Sequence, residues 1–510
     1  MRRFLLSFAS LLLAAGAAAS PVSAPEAEAY AVAYARNIMG LAGVVADVDS
    51  VVLSGVNTCY RIGWQGGGWT LVAADDAVAP IVGFSETGEF DVDEIVPPLR
   101  SYLSAVAARI AEGGERSARW ATDTVASTNK SADVEIEPIV QVNWNQTGVY
   151  KEYCPTKNGE KTLVGCVAVA LGQAMSVYQQ PERPTGSHSY TCEGVGRLSI
   201  DYDDEDAYDW DAIMNAENDK TDRLECARLL YHLGMAVDME YSTDGSGAWP
   251  RNIPSAMKKY FGYTSQMKRV LKEDYATDDE WTDLLLSELS AGRPLVYSGY
   301  DSSDEETAGG HCFNVDGYKN AQFHFNWGWG GSGNGYYALG SQTYRYYQET
   351  ILNFYPATGE PLSIALSNKT VAFGAKAGTV VATISVESDK TDVDWTFTAS
   401  STALPFQGKT APFYFGIDGD KLIVSEDIPE TVAEGRKLEV RITAKNPETS
   451  SSKSSTFRIT VTKSSAIPNV TTDQGPATIY TLDGRRVGSS PRHGLYIVRR
   501  QNGTQKTLTR

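Results

Sequence analysis

Gly165-Cys166-Val167-Ala168-Val169-Ala170-Leu171-Gly172-Gln173-Ala174-Met175 places a cysteine at the opening of a helical pattern with a small-residue face. A helix N-terminus points free N–H groups and the positive end of its dipole at such a sulfur. That favours the thiolate, the nucleophilic form. A cysteine taken alone is more often a small, inert, buried hydrophobe, so the case for chemistry depends on what else the chain supplies.

Downstream, Gly309-Gly310-His311 precedes the strand-like run Cys312 to Tyr318. Two glycines let a peptide backbone come close, and His311 at the strand start is placed to reach Cys166 across a cleft. Asn326-Trp327-Gly328-Trp329-Gly330-Gly331 follows. Asn326 offers an acceptor for the second imidazole nitrogen, which sets tautomer and orientation. Trp327 and Trp329 are suited to shield that bond from water. Upstream, Gln146 in Asn143-Trp144-Asn145-Gln146 carries amide N–H groups that can join the Cys166 backbone N–H in an oxyanion hole. Each feature has a plainer reading: a loop histidine, an aromatic turn, a strand-edge amide. Cys, His and Asn in this order match a nucleophilic thiol arrangement.

Working outward, helical patterns at Ala168–Tyr178, Arg223–Val237, Ile253–Phe261 and Trp281–Ala291 precede strand-like runs at Leu295–Tyr300, Cys312–Tyr318, Gln322–Trp327 and Gly335–Ala338. Helices first and strands after them predict an α+β domain over residues 135–358. Residues 21–134 form a smaller α+β unit plus a linker: an Ala-rich helical pattern over 24–48, four strand-like runs between Val51 and Phe84, and a helix from Leu99 to Ile110 opened by Pro97-Pro98. Glu112–Asp133 has linker composition, the kind of segment proteases nick. Residues 361–463 show short alternating runs with turn signals, which predict an Ig-like β-sandwich. Residues 475–510 hold short strand pairs around the Asp483-Gly484 turn.

Arg2 and Arg3, the apolar run Phe4 to Ala19 and the small residues Ala18-Ala19-Ser20 read as a secretory signal peptide over residues 1–20. The run is short of the roughly 20 residues a membrane span needs, and no other stretch is long and apolar enough, so no membrane span is expected. A secreted or cell-surface protein follows. The formal charge of −18 argues against nucleic acid as a partner. The six cysteines form no CxxC pair, and sequence alone does not pair them.

Taken together, Trp144-Asn-Gln146, Tyr153-Cys-Pro155, Gly165-Cys-Val-Ala168, Gln173-Ala-Met175, Phe261-Gly-Tyr263, Arg293-Pro294, Gly309-Gly-His311, Asp316-Gly317 and Phe325-Asn-Trp-Gly-Trp-Gly-Gly331 resemble the streptopain family of papain-like cysteine peptidases. Residues 24–115 resemble that family's inhibitory propeptide. The resemblance implies a secreted zymogen with endopeptidase activity on proteins or peptides, inhibited by its own propeptide. Cys166 is then the nucleophile, His311 the general base and acid, and Asn326 the residue that orients it. Gln146 is an oxyanion candidate. Ser246-Gly247-Ala248 resembles a substrate-binding segment, and Gly310 precedes the histidine as in the family. The block departs from the pattern at Cys312, where a small residue such as Ala is expected, and at Val149-Tyr150-Lys151. Ile479-Tyr-Thr-Leu-Asp-Gly-Arg485 with Gly494-Leu-Tyr-Ile-Val498 resembles a type IX secretion sorting domain, which implies contact with export machinery. Residues 361–463 resemble a BACON-type module.

The chemistry expected needs no metal or organic cofactor. A surface adhesin on a catalytically silent scaffold is the alternative from another class, and a silent scaffold usually loses one of Cys, His or Asn. The same chemistry on cell-wall amides is a third reading that nothing in the sequence favours.

Overall fold

The computed structural model describes residues 18–121, 134–303, 309–339, 344–390, 393–401 and 413–462, and the backbone strands Thr478–Tyr480, Gly494–Arg500 and Gly503–Thr509. The leader run up to residue 17 and the Asp483-Gly484 turn lie outside the described residues. The chain forms two compact units, Met1–Glu360 with Ser388–Val393, and Pro361–Glu387 with Asp394–Arg510.

The first unit is built on one ten-stranded antiparallel sheet. Its amino-terminal part supplies α1 (Ala24–Asn37), β1 (Val45–Leu53), β2 (Val56–Trp64), β3 (Trp69–Ala73), β4 (Ile81–Ser85) and α2 (Pro97–Glu112). Glu26 caps α1 by accepting the Ser23 N–H at 2.9 Å. Pro97 and Pro98 open α2, where missing N–H groups cost nothing. Besides two short hairpins and the short helix Trp210–Met214, the later part supplies α3 (Cys166–Ser176), α4 (Lys220–Ala236), α5 (Ile253–Tyr260), β5 (Lys268–Leu271), α6 (Asp278–Ser290), β6 (Leu295–Tyr300), β7 (Gly310–Lys319), β8 (Gln322–Asn326), β9 (Gly335–Tyr337) and β10 (Tyr346–Leu352).

Strand order is β1-β2-β3-β4-β9-β8-β7-β6-β10-β5. The expected order of helices and then strands holds only in part over residues 135–358: the hairpin Ser187–Cys192 with Gly196–Asp201 precedes α4, and β5 precedes α6. What that order misses is the seam between β4 and β9, where Gly83 pairs with Tyr337 and Phe84 with Tyr336. Four amino-terminal strands thus extend the later sheet and cover what is otherwise an open edge. Phe84 stacks on Tyr336 at 4.8 Å, and Gln322 Nε2 donates to Ile81 O at 3.2 Å. Lys319 pairs with Glu86 at 2.6 Å.

Three cores pack on this sheet: the first holds α1 with Ile62, Phe84 and Tyr336, and the other two bear on the site. One packs α3, α4 and α5, with Trp144, Cys312 and Ile351, and α3 is buried from Val167 to Ser176. The other packs Leu99, Tyr102, Leu103 and Val106 of α2 with Phe313, Phe325, Trp327 and Tyr337. On β7, Cys312 and Asn314 therefore face α3, whereas Phe313 and Val315 face α2.

The expected linker begins later than its composition indicates. Ser117 N–H donates to Asp76 O at 2.8 Å, Trp120 Nε1 donates to Val78 O at 2.9 Å, and the Trp120 ring meets Tyr30 at 5.0 Å. Residues 113–121 thus stay with the amino-terminal part, and residues 122–133 lie outside the described residues. Beyond them Ile136 and Tyr318 exchange N–H···O bonds of 2.8 Å.

In the second unit, strands Pro361–Leu366, Val380–Ser388, Lys421–Val424 and Phe415–Asp418 form one four-stranded sheet, in that order. Thr370–Ala372, Ser452–Thr462, Lys437–Lys445 and Thr396–Ser400 form a second. Both sheets contribute to one apolar core, including Val381, Leu422, Val440 and Ile459, as a β-sandwich requires. The three carboxy-terminal strands pair as a small antiparallel sheet.

Candidate active site

Cys166 is the first residue of α3. The turn into it demands glycine: Gly165 has φ +94°, and a Cβ there meets Met239 Sδ at 2.6 Å. Cys166 is partly exposed at the wall of a cavity of about 580 Å³. His311, Gly310 and Cys312 from β7, Ser298 and Tyr300 from β6, and Gly247 to Asn252 line the same cavity.

Withdrawal from water pushes the Cys166 thiol up. Backbone N–H groups of Cys312, Val167 and Cys166 itself pull it back in part. Burial lowers His311 to about 4, opposed by a hydrogen bond to a backbone carbonyl. Thiol and imidazole are therefore both neutral near pH 7 in this arrangement.

The carbonyl that holds His311 belongs to Trp327. A carbonyl can only accept, so the 2.9 Å contact makes Nε2 the protonated nitrogen and leaves Nδ1 as the base. The ring stacks on Phe313 at 5.9 Å and lies 5.8 Å from Tyr344. It sits on the α2-facing side of β7, and no hydrogen bond joins it to Cys166 in this structure.

Asn326 is brought close but does not meet the imidazole. Its Oδ1 accepts from Gln173 Nε2 at 3.1 Å and from Gly328 N–H at 3.2 Å, and its Nδ2 donates to Val142 O at 2.9 Å. Asn326 was expected to orient His311 through its side chain; in this structure the main-chain carbonyl of the next residue contacts the imidazole instead. Trp327 and Trp329 are not on the cavity wall. Trp327 is fully buried, with Nε1 donating to Gly333 O at 3.1 Å, and Trp329 packs on the same core.

Ser246, expected to bind substrate, is not on the cavity wall. Its hydroxyl accepts from Ser242 N–H at 2.9 Å and donates to Leu163 O at 2.7 Å, closing a turn. Gly247 and Gly310 do line the cavity. Gln146 is buried beside the site, its carbonyl accepting Val164 N–H at 3.2 Å, but it is absent from the cavity lining.

Sequence reasoning missed Trp249, Arg251, Tyr300 and Glu240 on the wall. Trp249 is 56% exposed with the Arg251 guanidinium 4.6 Å over its ring. A tryptophan directly after a Gly-Ala loop was the available signal. All six cysteines are free, and among the described residues no His, Cys, Asp or Glu cluster is arranged to hold a metal ion.

Comparison with known proteins bears on this site. Residues 144–337 match the model of the Peptidase C10 family, and residues 19–110 match that of the Spi protease inhibitor. The chain is 26% identical over 322 residues to the thiol protease/hemagglutinin PrtT of Porphyromonas gingivalis, covering 58% of this chain and 36% of that protein. It is 24% identical over 315 residues to streptopain of Streptococcus pyogenes, covering 56% of this chain and 75% of that protein. A prointerpain A fragment of Prevotella intermedia aligns with a TM-score of 0.49 at 25% identity, over 61% of this chain and 99% of that one.

Proposed function

From a chain whose residues 144–337 belong to the Peptidase C10 family of cysteine peptidases, we propose a secreted endopeptidase made as a zymogen. The observation that carries this reading is the partition of the first unit. Cys166 and His311 share one open cavity, and residues matching a protease inhibitor extend the sheet that carries His311.

In the working enzyme His311 Nδ1 takes the Cys166 proton, giving a thiolate beside an imidazolium. The thiolate attacks the peptide carbonyl carbon, and the oxyanion is held by the Cys166 backbone N–H, with Gln146 as second candidate donor. The imidazolium gives its proton to the leaving amine as the C–N bond breaks. Water, deprotonated by the same nitrogen, then hydrolyses the thioester and returns the thiol.

The amino-terminal segment acts from behind. None of its residues lines the catalytic cavity. Its α2 packs against Trp327, with Tyr102 6.5 Å from the indole ring, and Ser101 Oγ donates to Asp301 Oδ2 at 3.5 Å. Trp327 and Tyr344 flank the imidazole, so docking of α2 shapes the pocket that holds His311. Processing falls between the docked Trp120 and the sheet-paired Ile136. Export by a leader and the carboxy-terminal module belongs to this reading as well.

An irreversible epoxide inhibitor of thiol proteases, with the modified residue located by mass spectrometry, tests the nucleophile. N-terminal sequencing of active enzyme tests the processing. Label on any cysteine other than Cys166 refutes the first, and full activity in an uncleaved chain refutes the second.

A further inference from the structure

Asn326 does not touch His311, yet it is 1% exposed and its partners lead back to the nucleophile. Cys166, Ala170 and Gln173 are spaced i, i+4, i+7 on α3 and form one stripe of that helix. Asn314 on β7 faces that stripe. Its Nδ2 donates to Ala170 O at 3.0 Å and to Gln173 Oε1 at 3.2 Å. Gln173 Nε2 in turn donates to Asn326 Oδ1 at 3.1 Å and to Val142 O at 3.3 Å. Asn326 Oδ1 also accepts Gly328 N–H at 3.2 Å. Asn326 and Gly328 bracket Trp327, whose N–H donates to Asn334 Oδ1 at 3.0 Å and whose carbonyl holds His311.

We propose that the buried amides Gln173, Asn314 and Asn326 form a positioning triad that fixes the Trp327 carbonyl relative to the nucleophile helix, and through it the tautomer and place of His311. The inference rests on the Cys166–His311 reading. Amides are unfavourable in so dry a place unless hydrogen-bonded, and apolar residues of similar volume fill such a space without that demand. Directional bonds supply what apolar packing does not, a fixed register between helix and loop. Asn314 directs its donor side to α3 while its own Oδ1 has no partner. That orientation is set by reaching α3, not by satisfying the amide. None of the three touches the reacting atoms, so they position and do not catalyse.

The test uses the full chain carrying Cys166→Ala, which neither turns over nor self-processes, with 15N-labelled histidine. His311 signals are assigned by their loss in a His311→Gln chain. The parent is expected to show one tautomer, protonated at Nε2. In Gln173→Met and in Asn314→Ser, the two nitrogen shifts of His311 are expected to move toward the average of both tautomers. Gln173→Glu keeps donor and acceptor only while protonated, so above the pH at which His311 itself takes up a proton it is expected to hold the single tautomer while that carboxyl stays protonated and to lose it as pH rises further. In the Cys166 enzyme, Gln173→Met is expected to lower kcat at least tenfold with KM within twofold. A lower melting temperature with unchanged His311 shifts in both variants overturns the triad and leaves it as packing. A parent lacking the Nε2-protonated tautomer also overturns it. Failure of Cys166 to take the epoxide label is a different result, which removes the nucleophile reading instead.

Discussion

Gly83→Ala is expected to loosen the amino-terminal segment from the catalytic part of the first unit. Gly83 sits on β4 opposite Tyr337 on β9. A Cβ added there meets Tyr337 Cε1 at 2.5 Å, Cδ1 at 2.7 Å and Tyr336 O at 3.2 Å. The ring cannot step aside: Tyr337 is fully buried, its hydroxyl donates to Gly333 O at 2.6 Å, and Trp327 and Tyr102 lie 5.6 and 5.2 Å away. Overpacking a filled site costs about 1–3 kcal/mol, and a ring pinned on several sides puts this change near the upper end. About 3 kcal/mol is a shift of roughly 150-fold in the ratio of undocked to docked segment. Cleavage of a transiently opened form follows that population when reclosing is fast. The assay is the rate at which a trace of active enzyme cuts a Cys166→Ala chain between residues 121 and 136, with and without Gly83→Ala. Faster cutting by one to two orders of magnitude is expected. Equal rates together with an equal melting temperature refute the seam as the element that holds the segment in place.

Cys166→Ala is expected to abolish peptide hydrolysis while the melting temperature stays near that of the parent, since the residue is partly exposed; retained hydrolysis refutes the nucleophile. Trp249→Ala is expected to raise KM with a stability change within about 0.5 kcal/mol, because the side chain is 56% exposed on the cavity wall; an unchanged KM for several peptides removes it from the substrate path. Ser246→Ala is expected to cost about 1–3 kcal/mol in urea unfolding through the hydrogen bonds its hydroxyl makes to Ser242 and Leu163, leaving Ser242 N–H and Leu163 O unpaired, and a stability equal to the parent's contradicts that. His311, lowered to about 4 by burial, and His232, lowered to about 3 by burial and Arg228, stay neutral when folded but take up protons when unfolded below about pH 6.5. Stability is therefore fully present above pH 6.5 and falls as pH drops toward 4, by about 1.4 kcal/mol per pH unit for each histidine. Unfolding of the Cys166→Ala chain at pH 7, 5.5 and 4.5 measures the slope; His232→Gln is expected to remove about half of it, and a flat profile refutes both shifts.

Local grammar was enough to single out the residues proposed to react. A cysteine after a glycine, at the start of a run of small residues, is written in consecutive letters, and so is a histidine after two glycines. The alternating runs of the sandwich and the proline pair that opens α2 are equally local, which is why these elements were legible with boundaries off by a few residues. The partner of the imidazole was not legible. Asn326 has a side chain that announces an acceptor, whereas the acceptor found is the main-chain carbonyl of Trp327, a group every residue owns and no letter distinguishes. Its availability depends on how β8 ends and on what Gln173 and Asn314 hold in place, which are contacts spanning well over a hundred positions. The cavity wall likewise joins Trp249, Tyr300 and Cys166 from three separate elements. The amino-terminal strands carry ordinary strand signals, but their place beside β9 rather than in a sheet of their own follows from edge pairing, which a strand's sequence permits with many partners and only the assembled tertiary structure decides.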